Sequence, residues 1–161
     1  MSTTRIKIVE SSILLFNNKG LANVRLQDIA EYNNISPGNL TYHFKTKKDL
    51  MEYIIYYMIR KLVEIENTQR ESLKHMSLYK ILRNNLIFLF NYRFFFRDIL
   101  EIINLVPNAK SVYKDVIIIN EKFTTEYINI SIKNGYMKKE AFDGQYRTFA
   151  RNNWAIIFSS L

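Results

Sequence analysis

The 161 residues include no cysteine. Disulfide scaffolds, thiolate zinc sites, iron–sulfur ligation and cysteine nucleophiles are therefore excluded. A reducing cytoplasm is the expected compartment. Proline occurs twice and glycine four times. That scarcity excludes collagen-like and Gly/Ser-linker architectures and argues against all-β folds, which need many turns. Two histidines and no cysteine leave few nucleophile–base pairs. No P-loop, GxGxxG or HExxH run occurs, and the carboxylates are scattered singly. We expect a non-enzyme with no cofactor and no metal. No apolar run approaches the ~18–20 residues that span a bilayer. The runs around Ile54–Ile59 and Leu86–Phe90 are cut by Arg60 and Asn91. The first residues do not read as a signal peptide.

What is present is a core and a positive charge. Hydrophobic residues make up 48% and charged residues 24%, enough apolar side chains for a packed interior. The length fits one domain, or one domain with a small module at its end. The net charge of +8 invites a polyanion, either nucleic acid or an acidic membrane surface. Seven Lys/Arg face four Asp/Glu in residues 1–50, and sixteen face eleven in the remainder. Charge alone therefore does not locate a binding face.

Nearly every segment carries helical periodicity. Ile8, Val9, Ser12, Leu15 and Phe16 form the stripe of a first helix, with Gly20 as its stop. A second helix is predicted over Leu26–Tyr32 and a third from Pro37 to about Phe44. Ser36 would cap the third, and Pro37 suits its first turn. Thr46-Lys47-Lys48-Asp49 reads as a capping box opening a long fourth helix, striped by Leu50, Ile54, Met58, Leu62 and Ile65. Residues 66–76 are polar and should hold its end and a loop. Helices follow over about 78–92 and 94–105, with a break at Pro107-Asn108. The next helix is striped by Val112, Val116, Ile119, Phe123, Tyr127 and Ile130, and Gly135 closes it. Asp143 is the expected cap of a last helix carrying Tyr146, Phe149, Ala150, Asn153 and Ile157. The chain ends at Leu161 inside an apolar run, and we expect a further stretch beyond it.

Residues 26–44 carry the functional signal. They read as two short helices crossing steeply, a helix-turn-helix. The crossing needs a small residue, met by Ala30, and the turn needs one tolerant of positive φ, met by Asn34. Ile29, Ile35, Leu40 and Phe44 should lock the pair from beneath. Gly38, Asn39, Thr41 and Tyr42 should face outward, on a helix able to lie in the major groove.

From Arg5 to about Leu50 the chain closely resembles the tetracycline-repressor (TetR) family. The marks are Phe16 and Gly20, then Asp28-Ile29-Ala30, then Ile35-Ser36-Pro37-Gly38-Asn39-Leu40. Tyr42-His43-Phe44-Lys45, Lys47 and Leu50 complete them. Past residue 50 only the plan is similar. Departures are Arg25 where Ser or Thr usually opens the second helix, Asn33 and Asn34 where Ala and Gly are common, and Thr41 where Tyr is frequent.

The resemblance implies an all-α protein. A three-helix DNA-binding head, residues 1–46, is joined by the long fourth helix to an antiparallel helical ligand-binding and dimerisation domain, residues 47–161. It implies a homodimeric repressor on a double-stranded DNA operator, with a small-molecule effector in the bundle and no membrane. Arg25, Tyr42 and Lys47 would hold phosphates, and Asn39 and Thr41 would read base edges. Gln27, Ser36, Gly38 and His43 complete the DNA-facing set, with His43 as ready to pack as to meet phosphate. The aromatic block Tyr92-Arg93-Phe94-Phe95-Phe96-Arg97 reads first as helix–helix core. A second reading makes Tyr92, Phe95, Phe96 and Trp154 contacts for an apolar ligand. The alternative function is a helical interaction protein whose head docks on a protein partner or anionic membrane.

Overall fold

The computed structural model describes residues 3–72, 78–149 and 151–152. Among these the fold is helical with no strand. The helices are α1 (Thr3–Lys19), α2 (Leu26–Tyr32), α3 (Pro37–His43), α4 (Lys47–Ser72), α5 (Leu78–Asn91), α6 (Arg93–Arg97), α7 (Ile99–Leu105) and α8 (Ala109–Lys133). Residues 145–149 are also helical. The chain forms two compact units. The first joins Met1–Leu62 to Phe88–Lys110, and the second joins Val63–Ile87 to Ser111–Leu161. The three head helices thus share a unit with the start of α4 and with α6 and α7.

Helix ends in the first unit follow local chemistry. The Ser36 hydroxyl accepts the Asn39 N–H at 3.1 Å, and Pro37 sits in the first turn of α3. At α4 the Thr46 hydroxyl accepts the Asp49 N–H at 3.1 Å, while the Asp49 carboxylate accepts the Thr46 N–H at 3.0 Å. This reciprocal pair satisfies two donors that the helix cannot. Gly20 ends α1 with φ 83°, its N–H on the Phe16 carbonyl. Beneath the caps lie Ile8, Val9, Phe16, Ile29, Leu40, Phe44, Leu50, Met51, Ile54 and Met58, each at most 1% exposed. Ile35, expected in this layer, is only partly buried.

The helix expected over 94–105 is two helices. Asp98 ends α6 and starts α7 with φ −100° and ψ 23°. Its carboxylate turns away to accept the Leu21 N–H at 2.8 Å and the Arg97 guanidinium at 2.8 Å. Leu21 lies 77 positions distant, so this contact is a tertiary one that periodicity does not carry. Burial pushes the Asp98 carboxyl up, but bonds from Arg97 and the Leu21 amide outweigh it and hold the group below its ordinary value.

The same junction grips the end of α1. Arg97 donates to the Phe16 and Asn17 carbonyls at 2.8 and 3.2 Å in the last turn of α1, where the backbone turns its carbonyls outward and a cation is favoured. The Asn17 amide donates to the Asn91 carbonyl at 2.7 Å and accepts the Phe94 N–H at 3.0 Å. Phe94 packs its ring 5.5 Å from that of Phe16.

In the second unit Val116, Phe123, Tyr127 and Ile128 are the buried side of α8. Gly135 follows α8 with φ 76°. The helical turn at 145–149 is capped by Glu140 rather than Asp143. Gly144, at φ 79°, turns the chain so that the Glu140 carboxylate accepts the Gly144 and Tyr146 N–H groups at 3.3 and 3.0 Å. Arg147 and Arg151 both donate to Glu121, at 3.0 and 3.2 Å. These bonds, Arg147 foremost, hold that carboxyl below its ordinary value.

Candidate nucleic-acid interface

The recognition element is built from a seven-residue helix with two unlike faces. Leu40 and the C-cap Phe44 are each 1% exposed. Pro37, Gly38, Asn39 and Thr41 are exposed, and Tyr42 is 85% exposed. Leaving a tyrosine ring in water costs apolar burial with no return inside the chain.

The turn that aims α3 is set by asparagines. Asn34 has φ 54°, the left-handed conformation the turn requires. The Asn33 amide donates to the Ser11 hydroxyl at 2.6 Å and to the Ile29 carbonyl at 2.7 Å. Asn33 thereby ties the turn to α1, a tether invisible in the motif because Ser11 lies 22 positions earlier. Ala30, 1% exposed, sits at the helix crossing, and its carbonyl accepts the Ile35 N–H.

The DNA-facing residues expected from sequence divide into two groups. Arg25, Gln27, Ser36, Gly38, Asn39, Thr41 and Tyr42 are exposed. Arg25 caps α2 only through its backbone: the Asp28 carboxylate accepts its N–H at 2.6 Å, and a guanidinium has no acceptor to return. Its side chain stays available. Thr41 donates to the Gly38 carbonyl at 3.0 Å. His43 is half-buried, edge-on to Tyr42 at 5.3 Å. Lys47 turns inward. Its ammonium donates to the Leu21 carbonyl at 2.6 Å and lies 5.8 Å from the Phe16 ring. Burial pushes the Lys47 pKa down, with Glu101 and Asp28 working the other way. Two of its three protons remain for another acceptor.

Charge is biased on this part of the head. Asp28 and Asp49 are taken up by backbone amides at the starts of α2 and α4. Among the described residues Arg25 and Lys45 have no ion pair. A polyanion would therefore meet cations whose neutralising carboxylates are already occupied.

Gly38 has a particular status. A Cβ built there meets only the Ser36 hydroxyl, at 3.9 Å, and the backbone is not in the left-handed region. Nothing inside the chain demands glycine. Gly38→Ala should leave the free protein unchanged or up to about 1 kcal/mol more stable. It should weaken duplex binding by about tenfold, the scale of a lost groove contact. Thermal melting and a binding titration on the same sample check the opposite signs.

Of the proposed ligand contacts, Tyr92, Phe95 and Phe96 are 7%, 0% and 4% exposed, in the core of the first unit. Tyr92 meets Phe88 at 4.9 Å with the ring planes tilted by 45°, and Phe95 meets Phe96 edge-on at 5.3 Å. Trp154 lies outside the described residues. An open groove of about 850 Å³ belongs to the second unit, where Glu121, Lys133, Arg147 and Arg151 help line it. Among the described residues no three His, Cys, Asp or Glu side chains gather as metal ligands, and no helix is long and apolar enough to cross a membrane.

Fold and exposed face together define a helix-turn-helix protein. Comparison with known proteins is specific. The model for bacterial regulatory proteins of the tetR family matches residues 8–54, and that for bacterial transcriptional repressors matches residues 57–161. A probable HTH-type transcriptional regulator of Bacillus subtilis (strain 168), YttP, is 24% identical over 146 residues, covering 86% of this chain and 67% of its own. An HTH-type regulator of Staphylococcus aureus (strain MRSA252) is 29% identical over 112 residues, 68% of this chain and 58% of its own. A solved TetR-family regulator from Marinobacter aquaeolei VT8 superposes with a TM-score of 0.76 at 27% identity, over 99% of this chain and 78% of that one. The chain belongs to the tetR family of bacterial regulatory proteins. Its relatives are transcriptional regulators and not enzymes. The chain spans 58–67% of the length of the curated relatives named here.

Proposed function

We propose that this protein is a sequence-specific repressor that binds a double-stranded operator as a homodimer and leaves it when a small molecule binds the helical domain. The observation that carries the DNA half is α3 itself: a capped helix with Leu40 and Phe44 buried and Gly38, Asn39, Thr41 and Tyr42 turned to solvent. The head is residues 1–46 and the ligand-binding and dimerising domain is residues 47–161. Arg25, Tyr42 and Lys47 position the head on phosphates, with Lys47 using the protons that Leu21 leaves free. Gln27, Ser36 and His43 stand at the same surface. Asn39 and Thr41 read base edges, Asn39 suiting adenine. A dimer places two α3 helices in successive major grooves, about 34 Å apart along the duplex.

The ligand half draws support from the description of the matched domain as a transcriptional repressor. It also draws on the bonds by which Asn17, Arg97 and Asp98 tie α5–α7 to the end of α1. An effector that displaces the buried Tyr92, Phe95 and Phe96 would pull on that junction, so head geometry and ligand occupancy share one equilibrium. Trp154 is the fourth proposed contact and, as the single tryptophan, the natural fluorescence reporter. The cytoplasm, where the operator lies, is the working compartment.

The test is selection of bound duplexes from a random pool, followed by a salt titration of the mobility shift. Enrichment of a pseudo-palindrome with salt-sensitive affinity is the expected result. No salt-dependent duplex binding would sink the reading and favour a protein or membrane partner. Asn39→Ala should cost about 1–3 kcal/mol on the selected operator and relax the preference at one position of each half-site. An unchanged selected sequence would remove the base-reading role.

A further inference from the structure

The head holds one fixed cation that the proposed interface does not use. Arg5, in the first turn of α1, rests over the corner formed by two rings. Its guanidinium carbon is 4.9 Å from the Phe44 centroid and 4.4 Å from that of Tyr53. The two rings meet edge-on at 5.5 Å. Among the described residues its guanidinium has no hydrogen-bond acceptor and no ion pair, and Nε is buried without a partner. The terminal nitrogens, equally without acceptors, are not buried.

Two cation–π contacts hold the guanidinium from one side before any ligand arrives, and its terminal donors have no acceptor among the described residues. An arginine that served packing alone would be expected to find an acceptor for a buried N–H. Here the rings hold the group still while its outer edge is left unmatched. The position is equally telling. Phe44 is the C-cap of α3, directly after Tyr42 and His43. Tyr53 lies in α4, six residues past Lys47. At about 1.5 Å per residue, α3 is about 10 Å long. That approaches the roughly 12 Å width of the major groove. A cation fixed at the end of such a helix stands near the groove wall, where phosphates run.

We infer that Arg5 is a DNA-backbone contact, fixed in advance by Phe44 and Tyr53, that donates to a phosphate beside the C-terminal end of α3. The inference rests on the reading that α3 enters DNA. It predicts a sequence-independent contribution to affinity, because phosphates carry no base identity.

The experiment uses the full chain on the selected operator and on a random duplex, with affinity followed across salt concentration. Arg5→Gln should reduce the slope of log affinity against log salt by about one and weaken both duplexes by about tenfold. Arg5→Lys, which keeps the charge without the flat plate, should keep the slope. Arg5→Met, whose thioether still packs on the rings, keeps the test open if Gln does not fold. A folded neutral variant with the wild-type slope overturns the inference. So does failure of both neutral variants to fold, since Arg5 would then serve the fold. If wild-type protein binds no duplex, the parent reading fails instead.

Discussion

Phe94→Ala should destabilise the protein by about 3–5 kcal/mol, the cost of removing a large ring from a site that cannot collapse. Phe94 is 0% exposed, packs on the equally buried Phe16, and is flanked by the buried Phe95 and Phe96. Its neighbours are held by polar anchors at Asn17 and Arg97, so they are not free to move into the void. Small domains have only about 5–15 kcal/mol in total, so this one ring is a large share. The check is a shift of the urea midpoint at unchanged m. Because Phe94 lies away from the exposed face of α3, protein that remains folded should bind DNA with near wild-type affinity. A loss below about 1 kcal/mol would mean that the aromatic block repacks.

Asn17→Leu should cost about 2–4 kcal/mol although it adds apolar surface. The side chain is 7% exposed, and its amide meets both the Asn91 carbonyl and the Phe94 N–H. Leucine fills the space but leaves a donor and an acceptor unmet, each at about 1–3 kcal/mol. Chemical denaturation reads the cost directly, and a loss below about 1 kcal/mol would show that these two bonds contribute little.

These two sites illustrate what a one-dimensional reading can reach. Ser36, Thr46 and Asp49 cap within three or four residues of themselves, so their roles follow from spacing. Asn34 was legible for the same reason: its positive φ is a local demand of a short turn. The exposed set from Arg25 to Tyr42 follows from the helical period, with Leu40 and Phe44 as its buried counterpart. The expectation of Asp143 as a cap failed because a left-handed Gly144 brings Glu140 round to the same amides. Lys47 shows the limit most plainly. Its place beside α3 is readable, but the carbonyl its ammonium bonds belongs to Leu21, 26 residues earlier.

The sequence by itself determined the helical architecture, the helix-turn-helix and the family, because period, caps and small-residue positions act over a few residues. Tertiary structure alone decided that Asp98 meets the Leu21 amide, that Arg97 and Asn91 meet the end of α1, and that Arg5 rests against Phe44 and Tyr53. Each of those joins groups at least 39 residues apart. Only the folded backbone brings such partners within hydrogen-bond or stacking distance, and no local pattern records which acceptor or ring will be there.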